Sequence, residues 1–239
     1  MALYVYAITA KDHPHRLDGL TGVGSHPAPL RTIHAGPLSA VVSDVSEEIR
    51  PKRRDLQVHQ KVQERLMAAA VVLPLQFGYV AADDQAVRQV LEENTDNYLA
   101  SLKRLDGCAE YHVRASQQDE EELLREVLHD SPEARALNDR IRAGEQDPQL
   151  PLALGELVAR DVQERQDELA AGLLQTLLPY AREHAAHPPS SPDFLNLSLL
   201  VPHERKDDLL AVHAGLASQI KGGVEFRITG PLPPYSFVQ

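Results

Sequence analysis

The chain ends in Gly230-Pro231-Leu232-Pro233-Pro234-Tyr235-Ser236-Phe237-Val238, directly behind the alternating run Val224-Glu225-Phe226-Arg227-Ile228-Thr229, and no other stretch narrows the fold as much. Three prolines leave the tail little helical choice, because each fixes φ and removes a backbone donor. Tyr235 and Phe237 carry more apolar surface than a solvent-flexible terminus needs, and they suit an extended segment pinned to a surface. The expectation is a docked proline and aromatic tail, seated on its own domain or on a partner.

A tail of this kind needs a core to dock on. The 239 residues, 43% of them hydrophobic, suffice for two modest domains or one large one. Tryptophan is absent and aromatics make up only 5%. The apolar mass is mostly Leu, Val and Ala, which favours helices packed on sheets over an aromatic-rich cleft. Lys and Arg total 24 against 35 Asp and Glu, a net charge of -11 that argues against a nucleic-acid or anionic-membrane surface. Lys52-Arg53-Arg54 is read as a solvated approach to a helix. Cys108 is the single cysteine, so no intrachain disulfide forms and a reducing interior is the natural compartment. With no basic leader and no 18-residue apolar run, the chain reads as a soluble cytoplasmic protein.

Periodicity gives an α+β order. Ala2 to Ile8 reads as a strand, Leu30–Ala35 and Leu38–Val45 as a hairpin turned at Gly36-Pro37, and Asp55 to Ala70 as a helix with Leu56, Val62, Leu66 and Ala70 on one side. Val71 to Gly78 reads as an apolar strand bent at Pro74. A second helix starts near Asp83-Asp84 and stops at Gly107. Cys108 to Ala115 is the next strand, with Cys108 as a quiet apolar filler. A short acidic helix follows Gln117, interrupted at Pro132. A long helix over 152–184 carries Leu154, Leu157, Val158, Val162, Leu169, Leu173, Leu177 and Tyr180 as a seam. A breaker-rich connection leads to a strand at Leu195 to Val201, then a short helix and a final strand. Two mixed α/β domains are expected, at 1–106 and 107–239.

Catalytic patterns are weak. Gly22-Val23-Gly24-Ser25 lacks both the dinucleotide fingerprint and the P-loop ending, and reads as a turn. His13, His15, His26 and His34 have no metal-site spacing. Ser43-Asp44 has no nucleophile elbow, and Asp83-Asp84 suits a helix start. No catalytic residue, cofactor or metal ligand is assigned. The candidates are protein contacts. Leu73, Pro74 and Phe77 form either a bent core strand or a recognition edge on which Pro74 denies one ladder donor. Leu157, Leu169 and Leu173 offer a helical seam suited to a helical hairpin or to self-association. Asn196 either specifies an edge contact or sits on the polar face of its strand. Tyr235 and Phe237 either complete the C-terminal core or bind a partner.

Taken in order, Leu3-Tyr4-Val5-Tyr6-Ala7-Ile8, Leu38 to Ser43, His59 with Val72-Leu73-Pro74-Leu75-Gln76-Phe77-Gly78, Leu105 to Val113, Leu154-Gly155, Asn196 with Leu199-Leu200-Val201, and Thr229 to Val238 closely resemble the GvpL/GvpF gas vesicle protein family. The resemblance spans nearly the whole chain. It departs from the commoner pattern at Gln76, where a basic residue often precedes Phe-Gly, and at Leu232, where an aromatic often stands. It implies two α+β domains, at least one ferredoxin-like, and a non-enzymatic assembly or minor structural protein associated with gas vesicles. The implied partners are the shell subunit and other gas vesicle accessory proteins, with no nucleic acid and no lipid membrane. The alternative is a transient, chaperone-like cytoplasmic adaptor for the amphipathic shell subunit, without stable incorporation.

Overall fold

A computed structural model describes residues 1–46, 48–220 and 222–238. The chain divides into two compact units: Met1–Tyr111 with Leu200–His203 and Gly230–Gln239, and His112–Leu199 with Glu204–Thr229. The division differs from the sequence expectation of 1–106 and 107–239, because the C-terminal tail groups with the first unit.

The first unit is built on an antiparallel sheet of β1 (Ala2–Ala10), β2 (Leu30–Ala35), β3 (Leu38–Val45), β4 (Leu73–Pro74) and β5 (Val80–Ala81). The order is β2-β3-β1-β4, with β5 also on β1. β4 pairs with Ala7 and Ile8 while β5 pairs with Leu3 and Tyr4, so two short segments share one edge of β1. The β2–β3 hairpin falls where the alternation and Gly36-Pro37 place it, with Ala35 opposite Leu38. The pairing of β1 with β3 slips between Val5 and Ala7. An extra residue there shifts the side-chain alternation, so Tyr4, Tyr6 and Ala7 all join one core cluster with Val41, Val45, Val62 and Leu66.

Helix α1 (Arg53–Met67) turns Asp55, His59, Val62, Gln63 and Leu66 inward. The expected inward Leu56 is 43% exposed. Polar side chains occupy that face because the buried phenols of β1 need hydrogen-bond partners. The single helix expected from Asp83 to Gly107 is two, α2 (Asp84–Glu93) and α3 (Thr95–Leu105). Asn94 Nδ2 donates to Val90 O and Thr95 Oγ1 to Leu91 O, side-chain bonds that compete with the helical ladder at the break. At the start of α2, Asp83 accepts from Ala86 N–H, the capping role its position suggests.

The second sheet has β6 (Cys108–Gln117), β7 (Glu183–Ala186), β8 (Asp193–Pro202) and β9 (Val224–Leu232) in the order β7-β8-β6-β9. Helices α4 (Glu120–Asp130) and α5 (Pro132–Arg142) follow β6, with Pro132 in the first turn of α5, where its missing N–H costs nothing. Helix α6 (Gln149–Leu177) begins three residues before the expected long helix. It stops at Leu178-Pro179-Tyr180, seven residues short of the expected end at 184. The remainder of that span enters β7, a strand absent from the sequence reading. Helix α7 (Lys206–Gln219) links β8 to β9. No helix among the described residues is long and apolar enough to cross a membrane.

Candidate protein-interaction site

The densest polar constellation lies inside the first unit. β1 inserts two fully buried phenols, Tyr4 and Tyr6, and a buried hydroxyl must find partners. Tyr6 Oη accepts from Val23 N–H at 2.9 Å and meets Ser43 Oγ at 3.0 Å. Tyr4 Oη accepts from Gly78 N–H at 3.0 Å and lies 3.0 Å from His59 Nδ1. Tyr4 then has its own proton to donate to Nδ1, which places the imidazole proton on Nε2. That nitrogen faces Tyr235 Oη at 3.1 Å, a partner 176 residues away in the chain. Burial lowers the His59 pKa to about 4, so the ring is neutral at ordinary pH. Burial likewise raises the phenols of Tyr4, Tyr6 and Tyr235. Phe77 stands edge-on to both Tyr4 and His59, 5.7 Å from each ring.

The tail fastens onto this group. Ser236 donates to the buried Glu110 carboxylate through its N–H at 2.9 Å and its hydroxyl at 2.6 Å. Arg104 donates to Phe237 O, and the Phe237 ring is 5% exposed. Gly230 starts the tail close against β6, where a Cβ would stand 2.5 Å from Tyr111 Cδ1 and 2.9 Å from Glu110 O. The glycine-rich turn is engaged in the same way: Val23 N–H serves Tyr6, and Gly24 N–H donates to Asp55 Oδ1 at 3.0 Å. Those amides are therefore committed within the chain rather than turned toward a phosphate.

The candidate contacts fall into two groups. Leu73, Pro74, Phe77, Tyr235 and Phe237 belong to the first unit, and Leu157, Leu169, Leu173 and Asn196 to the second. Leu73, Pro74, Leu157, Leu173 and Phe237 are buried, while Phe77, Leu169, Asn196 and Tyr235 retain surface. The structure draws Phe77 and Tyr235 together around His59; Asn196 Nδ2 points to Pro188 O at 3.5 Å. Sequence reasoning missed the partner roles of Tyr4, Tyr6, Arg104 and Glu110. The available signal was the pair of tyrosines two apart on an otherwise apolar strand, which requires buried acceptors. It also missed an apolar pocket of about 280 Å³ on the other side of β1, lined by Val5, Ile8, Leu75, Val87, Leu91 and Tyr98 among others. Tyr79 also lines it and is 48% exposed. Two of the histidines that lack metal-site spacing are packed together. His13 is buried, with its ring 4.9 Å from that of His15, whose Nε2 bonds Thr9 Oγ1. Among the described residues, no three His, Cys, Asp or Glu side chains are gathered to hold a metal ion.

Comparison with known proteins places this geometry. The family model described as gas vesicle synthesis protein GvpL/GvpF matches residues 2–239. Gas vesicle protein F of Streptomyces sp. (strain CB03234) is 41% identical over 240 residues, covering 100% of both chains. Gas vesicle protein L of the same strain is 29% identical over 262 residues, covering 98% of this chain and 91% of that one. In fold, the chain is similar to the crystal structures of GvpF from Anabaena sp. PCC7120 (TM-score 0.86, 20% identity, 100% and 98% covered) and from Microcystis aeruginosa (TM-score 0.81, 23% identity, 100% and 99% covered).

Proposed function

Because the chain belongs to the GvpL/GvpF family of gas vesicle synthesis proteins, we propose that it works without bond chemistry, as an assembly or minor structural protein contacting shell or accessory proteins as vesicles form. The observation that carries this reading is the family match across residues 2–239. The site geometry supports it, since His59, Tyr4 and Tyr235 are engaged with one another and serve cohesion. A gas vesicle wall must keep one apolar and one wetted face while subunits add in order. A protein that holds the amphipathic subunit until it is placed prevents premature association.

Of the nine candidate contacts, Phe77, Leu169, Asn196 and Tyr235 have surface to offer a partner, and the buried five act by holding the elements that present them. The element order β6-α-β7-β8-α7-β9 and the strand order β7-β8-β6-β9 support a ferredoxin-like reading of that sheet. Identity of 41% to the F protein against 29% to the L protein of one strain favours an F-type role. The setting is the cytoplasm, with the protein associated with vesicles.

The test is quantitative cross-linking mass spectrometry in cells assembling vesicles, with washed vesicles and the soluble fraction analysed side by side. Cross-links to shell or accessory proteins that persist in washed vesicles are the expected result. Links confined to the soluble fraction point to transient delivery instead, and no link in either fraction despite stable expression overturns the assignment.

A further inference from the structure

β9 ends its sheet, with β6 as its neighbour on one side and no strand on the other among the described residues. Which of its backbone groups face outward follows from β6. Gln118 N–H donates across to Gly223 O at 2.8 Å, whereas Gln117 N–H turns the other way, to Pro192 O at 3.1 Å. Alternation then sets Ser116 opposite Glu225 and Arg114 opposite Arg227, and it directs the N–H and C=O of Val224, Phe226 and Ile228 away from β6. His213 fits this assignment, because its Nε2 donates to Phe226 O at 3.2 Å and leaves that oxygen a second lone pair. An edge of this length, with no strand beside it among the described residues, is a template for another strand. Pro231 limits the usable stretch to Val224–Thr229.

The side chains specify which strand fits. Glu225 and Arg227 flank Phe226 on the solvent face, 3.2 Å apart and with side chains 43% and 59% exposed. We propose that Val224–Thr229 is a self-pairing edge, through which two copies of the chain join antiparallel about a two-fold axis at Phe226. In that register Glu225 stands opposite the partner's Arg227, and Arg227 opposite the partner's Glu225. These are non-hydrogen-bonded positions, where facing side chains come closest. Val224 meets the partner's Ile228 in the outward ladder. The charge pattern is therefore self-complementary, as a two-fold interface requires. Arg227, set beside Arg114 on β6, gains a second carboxylate. A six-residue edge buries little area, so the pairing is weak and reversible.

Sedimentation velocity of the full chain over roughly 10–500 µM, a range suited to a small interface, tests the proposal with two charge reversals. Glu225→Arg and Arg227→Glu each oppose like charges twice and are expected to weaken self-association about tenfold or more. An equimolar mixture of the two variants restores both opposite-charge contacts and should recover the association of the unaltered chain. Recovery in the mixture also shows that each variant is folded. Unchanged association of Glu225→Arg overturns the proposal, as does a monomer throughout the range. So does failure of the mixture to associate, or an edge that pairs only with an added shell subunit.

Discussion

The two sheets treat their outer edges in opposite ways. Along β1 of the first unit, the flanking strand is broken into β4 and β5. Pro74 lacks a ladder donor, and the intervening segment is tied inward, with Leu75 N–H on Tyr6 O at 2.9 Å and Gly78 N–H on Tyr4 Oη. The groups available at that edge serve the network that holds His59 and the tail. In the second sheet, β9 runs nine residues as an edge, and among the described residues His213 donates to one of its outward backbone groups, Phe226 O. An edge strand offers the same chemistry in both places. Where it is broken and stapled it contributes to cohesion, and where it stays continuous it is free to recognise another chain.

If the first unit depends on its tail, removing the anchors should have the largest effect. Tyr235→Ala with Phe237→Ala is expected to cost about 4–5 kcal/mol, chiefly from emptying a buried phenyl site, measured as a lower urea midpoint for the isolated chain. Acid gives the next effect. His59 titrates near 4 in the folded chain and near 6.5 when unfolded, so nothing is lost above that range. As pH falls from about 6.5 to about 4, the unfolded state takes up the proton and the folded state does not. About 3 kcal/mol is then lost, and it should disappear from the pH profile of His59→Gln. Gly22→Ala places a methyl 2.3 Å from Ser43 Oγ and 3.0 Å from Tyr6 Oη. It should cost about 2 kcal/mol by overpacking, read by thermal unfolding. Arg31 joins Asp44 at 3.1 Å and Asp84 at 2.7 Å across half-exposed surface. Arg31→Ala should change stability by about 1 kcal/mol or less, with a salt dependence the other variants lack.

Elements with a local signature were legible in the sequence. The β2–β3 hairpin announced itself through alternation around Gly36-Pro37, and α6 through its leucine spacing. Val71 to Gly78 read as one bent strand, because its apolar content is strand-like. Its actual path, one dipeptide strand followed by an inward excursion, depends on Tyr4 reaching Gly78. β7 was invisible because Glu183-His184-Ala185-Ala186 carries no β-branched or aromatic residue and continues the helical composition before it. In the candidate site, Tyr235 and Phe237 were legible as apolar groups out of place in a proline-rich tail, and Phe77 as part of a bent apolar segment. Glu110 and Arg104 were not, since each acquires its role through a tail more than 120 residues away. The polar inward face of α1 was hidden for the same reason, because burial of Asp55 and His59 is explained only by the phenols and amides they serve.

Amide hydrogen exchange of the isolated chain, followed by mass spectrometry at residue-level resolution, tests the contrast between the stapled and the open edge most directly. Slow exchange is predicted at Val23, Gly78 and Ser236, whose N–H groups donate to Tyr6, Tyr4 and Glu110. Fast exchange is predicted at Val224, Phe226 and Ile228 in dilute protein, slowing as concentration rises. Gly78 and Ser236 exchanging as fast as β9, or β9 fully protected at high dilution, would contradict the account.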